Sequence, residues 1–308
     1  MRIIKPSFEI WDQEEGLEGI YKQIERAGRV CYKSEDKITE DSAKDFVDRM
    51  IKSGHGAMLE HGTVYLKIPY GTMDDRGEFS NEPIVIKYID NPYSVVMNNS
   101  ENDYWYITSN YRVIIENEWI DDLQYLCEPT EFHAKRITVH FVCDRGVSHE
   151  YVRHRVFSFA QESTRYCNYS KDKFQGVTYI QPPWLDGDIS NEDGSKFNDV
   201  YTDIYLHTLT TAENAYLDLL KQWDNKVPDK RFKSGYKNNP WTPQQARAVL
   251  PNSLKTELVM TGFVSDWEHF FRLRSRIAKT GKPHPQAQEL ADPLMDEFVK
   301  RGIMETLL

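Results

Sequence analysis

Arg153 to Tyr166 read Arg-His-Arg-Val-Phe-Ser-Phe-Ala-Gln-Glu-Ser-Thr-Arg-Tyr. Three cationic or potentially cationic side chains stand together at Arg153, His154 and Arg155, and Ser163 and Arg165 follow. Guanidinium groups present planar forks of N–H donors that match the oxygens of phosphate and carboxylate. A hydroxyl between such groups adds a short further donor. The chemistry open to this set is the holding of anions. Taken alone, an Arg-His-Arg triplet reads first as a basic helix end in solvent, because charge runs usually face water.

Other groupings suggest other chemistry and fail on spacing. His149-Glu150-Tyr151-Val152-Arg153-His154 resembles a zinc-protease motif with one residue too many. Two histidines share a metal from one helix face at i and i+4; at i and i+5 they diverge by about 140°. His55 to His61 also lacks ligand spacing, so no metal site is expected. Cys167, beside Tyr166, invites a nucleophile reading, but a reactive thiol needs a partner that lowers its pKa, and a packed cysteine is the simpler expectation. Neither a Gly-x-Gly-x-x-Gly after a strand nor a Gly-Lys-Ser/Thr loop occurs, so neither a Rossmann nor a P-loop site is signalled.

The elements that must position these residues are partly legible. Leu17, Ile20, Tyr21, Ile24 and Ala27 predict a helix with Gly28 near its stop. A second is expected from a cap at Thr39, with Ala43, Phe46, Val47, Met50 and Ile51 as its stripe and Gly54 beyond its last turn. Val64, Leu66 and Ile68 alternate with Tyr65 and Lys67 as a half-buried strand. Residues 70–133 read as an insertion, with strand-like pieces at 84–89 and 104–108 and then a helix with Ile114, Ile115, Trp119, Leu123 and Leu126 on one side. Ile137, Val139, Phe141 and Cys143 alternate as another strand. Asp144 is placed to cap a helix carrying the Arg-His-Arg triplet in its last turn. A loop-rich stretch with Gly187 and Gly194 leads to a long helix from about Lys196 to Trp223. Thr242-Pro243-Gln244-Gln245 and Ser265-Asp266-Trp267-Glu268 read as capping boxes, the first opening a short helix through Arg247 to Leu250 and the second a helix ending near Arg276. Pro285 opens a final helix with Leu290, Leu294 and Phe298 inward. Without repeats, low-complexity tracts or a clear linker, residues 1–308 are expected to form a single catalytic domain. Alternation without a regular strand-helix-strand rhythm predicts α+β.

Composition bounds the partners. The 308 residues can bury a sizeable core, and 13% of them are aromatic, which argues against disorder. A net charge of −10 disfavours a general nucleic-acid binder, which needs a broad positive footprint. Cations are instead concentrated at Arg145, Arg153, Arg155 and Arg165, and again at Arg272, Arg274 and Arg276. The four cysteines contain no Cys-x-x-Cys pair, which suits a reducing cytoplasm. Met1 to Gly16 has no apolar core of a signal peptide, and no apolar run approaches the ~20 residues of a membrane span.

The string Arg153–Tyr166, with its Arg-His-Arg, seven residues, Ser, and Arg-Tyr shortly after, resembles the signature of the flavin-dependent thymidylate synthases. His55 to His61 is similar to the family's flavin-lining turn, Ala246 to Pro251 to its nucleotide-binding helix end, and Phe271-Arg272-Leu273-Arg274 to its second arginine site. Arg29-Val30-Cys31-Tyr32, after the first helix, also matches. The resemblance touches residues 17–69, 136–182 and 242–300. It implies a central, mostly antiparallel sheet flanked by helices, and methylation of dUMP to dTMP with FAD, NADPH and 5,10-methylenetetrahydrofolate in a homotetramer whose sites are shared between subunits. It further implies FAD contacts at Ala57, Glu60, Arg153, His154, Arg155, Gln161, Ser265 and His269. The dUMP contacts it implies are Glu150, Arg153, Gln161, Glu162, Ser163, Thr164, Arg165, Arg247 and Arg274, with Arg274 catalytic against the uracil. The family dispenses with a cysteine nucleophile. This chain departs from it at Ala160-Gln161, where Asn-Glu is common, at Ala57, where a hydroxyl residue is common, and at Glu150, which replaces a glutamine. Rival readings from other classes are a non-enzymatic nucleotide or RNA-binding module, with arginines on phosphates and tyrosines stacking, and a metallohydrolase built on the histidines.

Overall fold

Leu17, Ile20, Ile24, Ala27 and Val30 recur on one side of helix α1 (Gly16–Tyr32), which ends where Lys33 turns left-handed at φ 47°. In this computed structural model, residues 1–99, 102–185, 200–221 and 240–307 are described. Gly28 does not stop α1. It lies inside the helix, where a Cβ would stand 2.5 Å from Cζ of Phe46, so the glycine serves close packing on α2 (Ser42–Lys52). The Arg29–Tyr32 segment is therefore the last turn of α1, not the stretch after it. Helix α2 begins at Ser42 and not behind Thr39: the Ser42 hydroxyl accepts the Thr39 N–H at 2.9 Å and donates to Glu25 at 2.8 Å. Ala43, Phe46, Val47 and Met50 are buried, while Ile51 is exposed. Gly54 has φ 71° just past the helix, as expected.

The chain gathers into two compact units. The larger comprises Phe8–Phe141, Glu150–Gln161 and Glu257–Leu308, and the smaller Met1–Ser7, Val142–His149 and Glu162–Thr256.

In the larger unit, β3 (Thr63–Pro69), β5 (Tyr104–Asn110) and β4 (Val95–Asn99) form an antiparallel sheet in that order, with Leu66 opposite Ile107. Both faces of β3 are largely covered: Tyr65 is buried along with Val64, Leu66 and Ile68. Short helix α3 (Gly56–Leu59) precedes β3. Residues 84–89 are helical and not a strand. They lie in α4 (Glu82–Ile89), whose proline at the first turn presets the helix and whose Val85 and Tyr88 share the buried side. The expected helix after β5 is broken in two, α5 (Tyr111–Glu116) and a 3-10 turn over Ile120–Tyr125, separated by Glu118 at φ 59°. Its apolar residues still reach one core, with Ile114 buried and Ile115, Trp119, Leu123 and Leu126 packed against it.

A second sheet runs β2 (Ser7–Trp11), β6 (Arg136–Asp144), β9 (Lys255–Phe263), β7 (Ser158–Gln161), with β7 antiparallel to β9. Strand β9 is buried on both faces, so it shows no period-two alternation. Between β6 and β7 lies α6 (Arg145–Tyr151). Helix α9 (Val264–Arg274) is capped from Phe263, whose N–H donates to Asp266 at 3.1 Å. Ser265 is therefore inside the first turn and not the cap. Helix α10 (Pro285–Lys300) buries Leu290, Leu294 and Phe298 as expected.

In the smaller unit, β1 (Arg2–Ile4) pairs in parallel with β8 (Thr178–Ile180). Helices α7 (Val200–Leu220) and α8 (Pro243–Ala246) share its core with Tyr169, Val177, Tyr179 and Leu254. The ends expected for the long helix, and Gly187 and Gly194, lie outside the described residues. At Thr242 the box forms through Gln245, whose side-chain oxygen accepts the Thr242 N–H at 2.9 Å. The fold is α+β, as the sequence predicts, with mainly antiparallel pairs, as the resemblance implies, but its strands divide among three sheets.

Candidate active site

Helix α6 is held at its start by Asp144, whose Oδ1 accepts the Val147 N–H at 2.9 Å. The helix ends at Tyr151, so the Arg-His-Arg triplet lies in the turn beyond it and not in its last turn. That turn is tightened by Arg153 N–H to the Glu150 carbonyl and His154 N–H to the Tyr151 carbonyl. Beneath it, Tyr151 and Phe157 pack with Trp267 and Phe270 of α9 in edge-to-face pairs. The aromatic layer fixes the turn against α9 and thereby brings residues about 120 positions apart into contact.

Arg274 is the centre of that contact. Its Nη1 donates to Glu150 Oε2 at 2.5 Å, its Nη2 to the Glu150 carbonyl at 3.1 Å, and its Nε to His154 Nε2 at 3.1 Å. Because a guanidinium only donates, His154 Nε2 must carry a lone pair and the imidazole is neutral. Burial, then Arg274, then His269 push the His154 pKa down to about 4. Glu150, the residue that departs from the resembled family, is thus screened by an arginine. Arg153 and Arg155 are exposed, and among the described residues neither makes an ion pair. His269 and Ser265 lie on the exposed side of α9, with the His269 ring 6.3 Å from that of His154.

Ala57 is exposed on α3, and Glu60 just after it binds Arg112 at 2.7 Å. The next residue, His61, is fully buried, bonds Thr261 at 2.8 Å and is pushed down to about 3 by burial and then by Arg136. Gln161, at the end of β7, lies opposite Leu258; its backbone engages the Cys31 thiol, which burial pushes up to about 11.

The smaller unit holds the rest of the string. The Ser163 hydroxyl accepts the Arg165 N–H at 3.3 Å, and the Ser163 carbonyl accepts the N–H groups of Tyr166 and Cys167. This closes a turn that exposes Arg165, whose guanidinium lies 5.5 Å from the Tyr166 ring centre. Thr164 is buried and accepts from Arg247 at 2.8 Å. Glu162 is 2% exposed, with Lys255 at 2.9 Å and the Tyr169 hydroxyl at 3.1 Å on its carboxylate. Only its backbone is left for a ligand. Lys255 and Tyr169 had no signal in the sequence, because Lys255 meets Glu162 across 93 positions. Cys167 is 1% exposed. No cluster of metal-ligating side chains occurs among the described residues, and no described helix is long and apolar enough to cross a membrane.

A family model described as thymidylate synthase complementing protein matches residues 86–301, well over half of the chain. The chain belongs to this family. The match begins at residue 86, within the 70–133 segment. A flavin-dependent thymidylate synthase of Corynebacterium diphtheriae is 30% identical over 131 residues, covering 42% of this chain and 45% of that protein. Another, from Corynebacterium aurimucosum, is 23% identical over 267 residues, covering 86% and 72%. The match thus spans about half the length of the first relative. Among solved structures, a UMP/dUMP methylase PolB from Streptomyces cacaoi bound with 5-Br dUMP has 16% identity over 97% of this chain and 93% of that chain, at a TM-score of 0.43.

Proposed function

We propose that this chain methylates dUMP to dTMP, with FAD as its cofactor, 5,10-methylenetetrahydrofolate as one-carbon donor and NADPH as reductant. The observation that carries the reading is the set of exposed guanidiniums without ion-pair partners among the described residues, Arg153 and Arg155 in one unit and Arg165 and Arg247 in the other, within a member of this family. Such donors suit the phosphates of a flavin dinucleotide and a mononucleotide. When bound, FAD supplies the redox and carbon-transfer chemistry, and the protein supplies orientation and electrostatics.

Arg153, His154, Arg155 and His269 would hold the flavin, with further contacts from Ala57, Glu60, Gln161 and Ser265. Ser163, Arg165 and the backbone amides from Gln161 to Thr164 would hold the dUMP phosphate, with Arg153 and Arg247 as further anchors. Thr164 supports this by fixing Arg247. Arg274 would stabilise negative charge on the uracil ring. Its three hydrogen bonds fix its plane and leave two of five N–H groups for a ligand, a preorganised cation of the kind that lowers barriers most. Glu150 acts as the holder of Arg274. The reading extends to a homotetramer in the cytoplasm, with 70–133 as an insertion in a single catalytic domain; its cysteines are free.

The test is the absorbance spectrum of purified protein together with an assay of dTMP formation. Flavin bands and folate-dependent turnover are expected. A colourless protein that makes no dTMP on addition of FAD overturns the reading.

A further inference from the structure

Along the string that follows β7, exposure alternates. Glu162 is 2% and Thr164 4% exposed, while Ser163 is half-buried and Arg165 exposed. Both inward side chains are anchored. Thr164 accepts from Arg247 at 2.8 Å, and Glu162 takes Lys255 on Oε2 at 2.9 Å and the Tyr169 hydroxyl on Oε1 at 3.1 Å. All of these residues lie in the smaller unit. Tyr169 is itself fixed: its N–H donates to the Tyr216 hydroxyl at 3.3 Å, and its ring packs on those of Phe174 and Tyr216. Lys255, which opens β9, has 14% of its side chain exposed, against 1% for Glu162.

A carboxylate at this position calls for a physical reason. Filling the space under the turn needs no charge, since apolar side chains of similar volume often serve stability as well as a buried ion pair does. A carboxylate adjoining a phosphate site is also repulsive unless a cation cancels it. What the carboxylate supplies is direction. Its two oxygens are bonded to two separate segments, which fixes the rotation of the chain about Glu162. The Ser163 hydroxyl and the neighbouring backbone N–H groups are aimed by that rotation. Apolar burial is non-directional and does not set it.

We infer that Glu162 is a positioning residue for dUMP, held by Tyr169 and Lys255, and that Lys255 cancels its charge so that the phosphate is not repelled. This role rests on the assignment of Ser163 and Arg165 to the dUMP phosphate. It gives Lys255 and Tyr169, which touch no ligand in that assignment, a part in the affinity for dUMP.

The test is calorimetric titration of the FAD-loaded protein with dUMP, beside steady-state kinetics. Lys255→Met removes the cation and keeps the length of the side chain. It should weaken dUMP by about tenfold or more and raise KM for dUMP in step. Turnover at saturating dUMP, and flavin reduction by NADPH without dUMP, should be unchanged. Adding Glu162→Gln leaves no charge to cancel and keeps an acceptor for the Tyr169 hydroxyl. Affinity for dUMP should then return to within about threefold of the unaltered protein. A merely structural Lys255 predicts no such rescue. Unweakened dUMP binding in Lys255→Met, or a double variant that binds no better than the single one, overturns the role of Glu162 and leaves the proposed function standing. The double variant has no unpaired buried charge, so it decides the matter even where Lys255→Met alone does not fold: a loss of about tenfold in it overturns the role as well. Failure of the unaltered protein to bind dUMP overturns both the role and the proposed function.

Discussion

Three of the five N–H groups of Arg274 are committed before any ligand arrives, and the consequence falls on His154. Its pKa is pushed down to about 4 by burial, then by Arg274 and then by His269. An unfolded histidine titrates near 6.5. Between those values the unfolded chain binds a proton that the folded chain refuses, so this contribution to stability is full above about 6.5 and is lost as pH falls toward 4. At about 1.4 kcal/mol per pKa unit it amounts to up to ~3 kcal/mol. Arg274→Gln removes the second of the three causes. The His154 pKa should rise and the acid-induced loss of stability should shrink, read by imidazole NMR titration and by urea unfolding at pH 4.5 and 7. An unmoved His154 would show that burial and His269 suffice to set it. Arg165 makes the complementary case. Its turn is closed by Ser163, and it has no ion-pair partner among the described residues. Arg165→Lys keeps the charge and loses the planar fork, so dUMP should bind about tenfold more weakly while flavin reduction by NADPH without dUMP is unchanged. Loss of FAD with normal dUMP binding would assign Arg165 to the other ligand.

At the scale of elements, the contact of α1 with α2 is the tightest constraint behind the Arg29–Tyr32 turn. Gly28 is needed there because the Phe46 ring occupies the place of a side chain, with Cε1 2.7 Å and Cζ 2.5 Å from an added Cβ. The ring is 3% exposed and has the Arg29 guanidinium 4.8 Å from its centre, so it cannot swing aside. Gly28→Ala gains about 1 kcal/mol of helix propensity and meets an overpacking cost of roughly 1–3 kcal/mol. A net loss of stability is expected in urea unfolding, partly restored by adding Phe46→Leu. A stabilised Gly28→Ala would mean that the helices can separate without cost.

For the molecule as a whole, a net charge of −10 coexists with a few unpaired guanidiniums. Other arginines are spent on carboxylates, such as Arg112 on Glu60 and Glu116 and Arg276 on Asp296. Local anion binding in an acidic protein selects small phosphates over polymers, whose affinity rests on many phosphate contacts. In filter binding at 150 mM salt, duplex DNA and unstructured RNA should not be retained, while a mononucleotide should be bound. RNA retention that falls steeply with salt would favour the non-enzymatic binding module.

What the residues alone determined was local or periodic. The string Arg153–Tyr166 pointed to anions, Asp144 to the start of α6, and Leu290, Leu294 and Phe298 to the inner side of α10, because capping and amphipathic spacing act within a few positions. The tertiary structure decided matters that depend on neighbours far along the chain. Burial of both faces hides β9 from any alternation rule, and Pro83 with the buried Val85 and Tyr88 makes a helix of an apolar run that read as a strand. Gly28 looked like a helix stop until the Phe46 ring was beside it. Most of all, Glu150 on Arg274, Lys255 on Glu162 and Thr164 on Arg247 come from 83 to 124 positions away. Which charges are spent on the fold and which are left for ligands is set by that packing, and side-chain charge at a distance in sequence carries no record of it.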